Sequence, residues 1–253
     1  MNAFPAPLIP AVASTFFLAG IVKGVTGMGL PTVAMGLLGT LMPPVMAAAL
    51  LILPSFITNA LQLLTGPRLA ALAARLWLLL LGIVVGTLAG SRWLVHGGSA
   101  WLTTGLGAAL MVHAGLGLSA RQMNVPRQLE NRWAPLVGLT TGLITGGTGV
   151  FVIPAVPYIQ ALGLGKEDLV QALGLSFTVS TIALAAGLAV RGAFRLDGLG
   201  MSSLAVAPAL LGMWVGGRVR LRVSEVKFRR WFLSCLWLLG LDLAARRFLV
   251  PGG

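Results

Sequence analysis

The chain has 253 residues, of which 57% are hydrophobic and 9% charged, with a mean hydropathy of +0.93. Soluble domains carry about a quarter charged residues, so this composition excludes a water-soluble globular domain and implies a lipid bilayer as solvent. The formal net charge of +12 lies in short loops between apolar segments, as membrane topology demands, and is not read as a nucleic-acid surface.

Apolar segments fall at about 6–22, 30–41, 43–64, 76–95, 99–118, 134–162, 169–190, 198–217 and 231–249. The first has no basic residue before Lys23 and is broken by Pro5, Pro7 and Pro10, unlike the charged start of a cleaved signal peptide. Between Lys23 and Arg68 lie 44 residues without a charge. One spanning helix needs about 20, so this stretch crosses or enters the membrane more than once. Continuous apolar runs predict helices, since barrel strands would alternate apolar and polar residues. The 30–41 piece is too short to span and is flanked by Gly29 and by Pro43-Pro44. It is predicted to be broken or re-entrant, with its irregular backbone lining a protein-enclosed cavity. The 134–162 segment is interrupted in the same way, at Gly149 with Pro154 and Pro157 beyond it.

The two interruptions look like copies. Gly20 to Gly29 and Gly138 to Gly149 are both glycine-rich, and setting Gly27 and Gly29 against Gly147 and Gly149 gives an offset of 120 residues. Downstream, Ser55-Phe56 falls on Ser176-Phe177 at 121, and Gly86, Gly90 and Arg92 fall on Gly212, Gly216 and Arg218 at 126. The reading is an internal duplication: residues 1–120 as a first repeat, 121–133 as a polar linker and 134–253 as a second repeat. The fold class is an all-α polytopic membrane protein of about eight transmembrane helices, in two four-helix halves that each contain a glycine-rich broken or re-entrant segment. Pairs such as Gly20/Gly24, Gly86/Gly90, Gly138/Gly142, Gly142/Gly146 and Gly212/Gly216 have the small-x-x-x-small spacing of close helix packing.

Alternating eight spans sorts Arg92, Lys166 and the cluster from Arg218 to Arg230 to one side. Arg68, Arg75, Arg121, Arg127, Arg132, Arg191, Arg195, Arg246 and Arg247 go to the other. The density of the Arg218 to Arg230 cluster places it in the cytoplasm and both termini outside.

The chain has six acids, and five of them, Glu130, Glu167, Asp168, Asp197 and Glu225, fall in loops; Asp242 is four residues before Arg246 and predicts a local ion pair. A cation transporter needs buried carboxylates, which this chain lacks. Cys235 can make no intrachain disulfide. His113 stands without a second ligand and reads as a packed histidine. Serine-protease and metalloprotease patterns are absent, so enzyme readings are rejected, and neither cofactor nor metal is expected.

What the chain offers an anion is backbone. Glycine lets main-chain N–H groups approach a ligand, and the positive end of a half-helix attracts negative charge. Candidate substrate-binding residues are Lys23, Thr26, Gly27 and Gly29 at the first break, and Thr145, Gly146, Gly147, Thr148 and Gly149 at the second. Ser55 and Asn59 on the next helix, with Gln62, form one polar face, and Ser176 and Ser180 repeat its first two places. Two readings stay open for Lys23, snorkelling to the interface or serving as counter-charge. The hydroxyls equally could donate to an anion or bond their own backbone.

The paired breaks, the Gly174 to Ser176 element, the Gly-x-x-x-Gly-x-Arg motifs at Gly86 to Arg92 and Gly212 to Arg218, and the basic run into Leu238-Leu239-Gly240 together resemble the sulfite exporter (TauE/SafE-type) family over nearly the whole chain. The resemblance implies a bacterial inner-membrane permease of seven or eight helices that moves small sulfur-containing anions such as sulfite or organosulfonates, usually outward. Two features depart from the family pattern, the sequence Gly27-Met28-Gly29-Leu30 in place of consecutive glycines, and Lys23. The leading expectation is therefore a secondary transporter of a small oxyanion held between the two breaks. Its partners would be that anion and the bilayer, with coupling to an ion gradient and a homo-oligomer left open. The alternatives are a permease for a carboxylate, neutral or cationic solute, and a non-transporting membrane assembly protein.

Overall fold

A computed structural model of the chain describes residues 8–119, 124–194 and 199–249, and every regular element among them is helical. In order these are α1 (Leu8–Thr26), α2 (Leu30–Leu38), α3 (Pro44–Leu63), α4 (Leu69–His96), α5 (Ser99–Ser119), α6 (Arg127–Thr148), α7 (Ala155–Gln160), α8 (Lys166–Val190), α9 (Leu199–Leu204), α10 (Val206–Arg220) and α11 (Glu225–Leu249). Five of them, α1, α3, α4, α8 and the Trp101–Ser119 part of α5, are long and apolar enough to cross a membrane. Large side chains such as Trp77, Trp101, Trp214 and Leu221 point outward, as expected where the surrounding solvent is lipid.

Glycine decides which helices touch. A Cβ on Gly138, Gly142 or Gly146 of α6 would run into the carbonyl oxygens of Leu79, Ile83 and Thr87 on α4, while one on Gly20 or Gly24 of α1 would strike those of Ala209 and Met213 on α10. Each step of four residues on one helix is matched by four on its partner, so both pairs run parallel with their backbones in contact. The sequence spacing was therefore a packing signal. Gly142→Ala and Gly216→Ala place a methyl against partner backbone, and each is expected to destabilise the protein by about 1–3 kcal/mol, read as a lowered melting temperature in detergent.

Two further pairs run antiparallel. Gly107 of α5 meets Gly240 and Ala244 of α11, whereas Gly117 meets Leu233. On α3 and α8, Gln62 bonds Val170 O, whereas Asn59, one turn earlier, bonds Thr181.

The short helices α2 and α7 turn back on the long helix before them. Gly29 lies against Val22, seven residues earlier, a separation a continuous helix holds near 10 Å. From there α2 climbs beside α11, with Gly29 near Phe232 and Gly36 near Leu239. It ends where Arg246 reaches Thr40 O. On the other side, α7 returns to the start of α6, where the Tyr158 hydroxyl donates to Glu130 O at 2.8 Å. The short segments thus double back beside the helices that precede them.

That reversal changes which loops share a face, and the sequence-based sorting of basic residues is corrected by it. Arg68 pairs with Asp168 at 3.2 Å and its N–H donates to Gln171, so it shares a face with Lys166. Arg75 pairs with Glu130 at 2.6 Å and donates to Leu162 O, which adds the start of α6. Because Gly117 packs on Leu233 near the start of α11, Arg218 to Arg230 join the same face. Arg92, Arg191 and Arg246 occupy the opposite one, and Arg246 bonds Asp242 at 2.8 Å as the i, i+4 spacing predicts. Arg121 and Arg195 lie outside the described residues.

Candidate functional site

The two breaks share one local design. Gly27 N–H donates to Lys23 O at 2.7 Å and Gly149 N–H donates to Thr145 O at 2.8 Å. Both glycines are left-handed, with φ of 75° and 72°, which ends a helix by satisfying a last-turn carbonyl. The Thr26 hydroxyl lies 2.9 Å from Val22 O and receives Met28 N–H. Correspondingly, the Thr148 hydroxyl donates to Ile144 O at 2.7 Å and receives Val150 N–H. These recurrences stand 122 residues apart, so Lys23 answers to Thr145 and Gly27 to Gly149. The glycine-anchored offset of 120 aligned Gly27 with Gly147 and so stood two residues out of this register. Gly29, with φ of 97°, is an additional left-handed residue that caps the N-terminus of α2 without a side-chain hydrogen bond.

Lys23 is the one lysine or arginine buried in the interior among the described residues, with 3% of its surface exposed. It does not snorkel. Its Nζ donates to Thr58 Oγ1 at 3.1 Å and to Asn59 Oδ1, and no carboxylate among the described residues pairs with it. Asn59 Nδ2 donates to Thr181 Oγ1 at 3.2 Å, and the Thr181 hydroxyl donates to Phe177 O at 2.7 Å. The chain of donors fixes the amide orientation, because only Oδ1 can accept from an amine. A buried lysine held by neutral oxygens is thus tied to α3, and through Asn59 to α8.

The remaining candidate residues divide into three groups. Thr26, Thr145, Thr148 and Ser180 spend their hydroxyls on carbonyls of their own helix, so the backbone-bonding alternative holds for these four. Ser55 and Ser176 are fully buried with unpartnered hydroxyls, as is Thr32 in the first turn of α2. A buried hydroxyl without a partner costs about 1–3 kcal/mol, and a ligand oxygen would relieve it. Among the glycines, Gly27 and Gly147 border open space, Gly29 is near Val22 and Phe232, and Gly149 faces Met35 Sδ at 2.9 Å. Gly146 is a packing residue against Thr87 and Ser91 of α4. Met35 lies five residues beyond Leu30, so what reaches the second break is the body of α2.

Thr32, Thr58 and Thr181 were not singled out in the sequence. Thr58 and Thr181 became visible only through hydrogen bonds linking residues far apart in the chain, although the 122-residue step from Asn59 to Thr181 was a signal available once the register was right.

No curated protein and no solved structure matches the chain. Residues 12–243 match the sulfite exporter TauE/SafE family over nearly the whole chain, and the protein, with its set of apolar membrane-length helices, belongs to that family.

Proposed function

We propose that the protein is a secondary transporter of a small sulfur oxyanion, sulfite or an organosulfonate, which it exports across the bacterial inner membrane without chemical conversion. The observation that carries this reading is Lys23, a buried amine whose partners are neutral oxygens and which no carboxylate among the described residues pairs with. A buried ammonium without a counter-charge is costly, and an anionic substrate supplies that counter-charge. Ser55 and Ser176 are poised to donate to its oxygens, and the uncapped first turn of α2 directs its N–H groups toward negative charge. Of the glycines, Gly27, Gly29, Gly147 and Gly149 form the flanking breaks in this reading, while Gly146 holds α6 to α4.

The same reading treats the chain as two repeats of four spans, α6, α10 and α11 completing the eight. Support comes from the exchanged packing, α1 on α10 and α6 on α4, together with the hydrogen bonds that recur at 122 residues. The antiparallel contact of α3 with α8 fits repeats of opposite orientation, the arrangement in which transporters place substrate at discontinuous helices. The face bearing Arg68, Arg75, Lys166 and the Arg218 to Arg230 cluster is then cytoplasmic by its positive charge.

The test is flux of labelled sulfite and of methanesulfonate in proteoliposomes. Lys23→Gln is expected to lower flux at least tenfold while folding as the wild type does. Undiminished flux in that variant would sink the reading.

A further inference from the structure

An ammonium group has three N–H donors and no acceptor, whereas a neutral amine has two donors and a lone pair. Lys23 Nζ has two acceptors, Thr58 Oγ1 and Asn59 Oδ1, and no third among the described residues. Both are committed: the Thr58 hydroxyl donates back to Pro54 O at 2.8 Å, and the Asn59 amide is anchored by Thr181. Neither can acquire charge.

Among the described residues, no charge on the elements around α1 forms an ion pair with Lys23. Helices α2 and α3 contain no titratable side chain. Helix α10 brings Arg218 and Arg220, both in its last turn. Helix α11 brings Glu225 as its first residue, Lys227, Arg229 and Arg230 in the turns that follow, the exposed Cys235, Asp242, which is paired with Arg246, and Arg247. Beyond α3, the acids of α8 are Glu167 and Asp168 in its first turn, and Asp168 pairs with Arg68. The acids on these elements thus lie in the first turns of α8 and α11 or are paired with arginine, and the side chains that bond Lys23 Nζ are neutral.

We infer that Lys23 is an uncharged amine in the empty site and takes up one proton together with the anion, so that anion and proton cross the membrane together. This rests on the anion-transport reading above and adds the coupling ion to it. The anion stabilises the ammonium and the ammonium the anion, and such coupling is reciprocal. The sign follows from proton number: the bound state holds one proton more than the empty state, so affinity rises as pH falls. Where the empty site is deprotonated, affinity changes about tenfold per pH unit.

Methanesulfonate is the suitable probe because it stays anionic throughout the range tested, so any pH dependence belongs to the protein. Calorimetric titration of the purified protein from about pH 6 to about pH 9, where a buried lysine can titrate, in two buffers of different ionisation enthalpy, gives both Kd and protons taken up. Expected for the wild type are a Kd that weakens by about tenfold per pH unit over the upper part of the range and uptake approaching one proton per anion. Lys23→Arg, which keeps its charge, should bind with little pH dependence and take up no proton. Wild-type binding that is constant over the range without proton uptake overturns the coupling and leaves the anion site standing. If the wild type binds no methanesulfonate, or Lys23→Gln binds it as tightly, the anion-transport reading falls instead. Should Lys23→Arg fail to fold, the wild-type measurement alone decides the coupling.

Discussion

Gly149→Val is expected to abolish anion flux while the protein still inserts in the membrane. At φ of 72° an L-residue sits in the left-handed region, at a cost of about 1–2 kcal/mol that β-branching raises, because its second branch restricts the backbone further. A Cβ there also meets Met35 Sδ at 2.9 Å, so the substitution presses on α2, the short helix that follows the first break. Both effects act on the same event. The end of α6 must either continue helically, which erases the turn into α7, or push α2 away from its place. Gly115→Ala makes the control, since that residue lies within α5, outside the breaks, and its Cβ would meet nothing within 4 Å. Flux in proteoliposomes and melting temperature measured together separate the outcomes. Flux that survives in Gly149→Val, or is lost equally in Gly115→Ala, would mean that the break geometry is not what transport depends on.

Much of the helical layout could be read from hydropathy, because runs of apolar residues have to form helices in lipid. The run 43–64 became Pro44–Leu63, and 169–190 became the core of Lys166–Val190. The breaks were legible for a different reason: glycine and proline mark where a helix cannot continue. Direction was not legible. Hydropathy carries no sign along the membrane normal, so a short segment that continues and one that turns back look alike. That single ambiguity moved Arg68 and Arg75 to the face of Lys166, where their pairing with Asp168 and Glu130 now puts them. The extra first turns of α6 were also hidden, since Arg127, Glu130 and Arg132 read as linker. Contacts of Glu130 with Arg75 and Tyr158 hold that stretch as helix.

At the candidate site, residue type was legible and partnership was not. Asn59 was visible as a polar residue on an apolar helix, and Lys23 as an isolated cation, but nothing in a linear sequence joins positions 36 residues apart. Alignment on glycine doublets also hid the step from Asn59 to Thr181, because the second half has Gly146-Gly147 where the first has Gly24-Val25. Hydrogen bonding at the helix ends sets the register, and glycine identity alone does not.

Asn59→Asp provides the largest electrostatic change available at one position. The side chain keeps its size and its oxygen toward Lys23 Nζ, which Asn59 Oδ1 now accepts from, but it brings the carboxylate that this part of the interior lacks. Lys23 then has a permanent partner inside the protein, and a substrate anion must approach a site already neutralised and facing a like charge. Like-charge juxtaposition costs several kcal/mol, and each 1.4 kcal/mol is tenfold in affinity. A loss of about 100-fold or more in sulfonate affinity is therefore expected. The fold should persist, because the new pair satisfies both charges. Part of any destabilisation comes from Thr181, whose Oγ1 loses the Nδ2 donor 3.2 Å away. Thr181→Val makes that loss separately and leaves Lys23 without its acid. Measured side by side, Thr181→Val should lower melting temperature with a modest change in Kd, while Asn59→Asp should keep melting temperature near that of the wild type and lose binding. Asn59→Asp protein that still binds methanesulfonate with wild-type affinity would show that Lys23 does not meet the anion, whatever its place in the bundle.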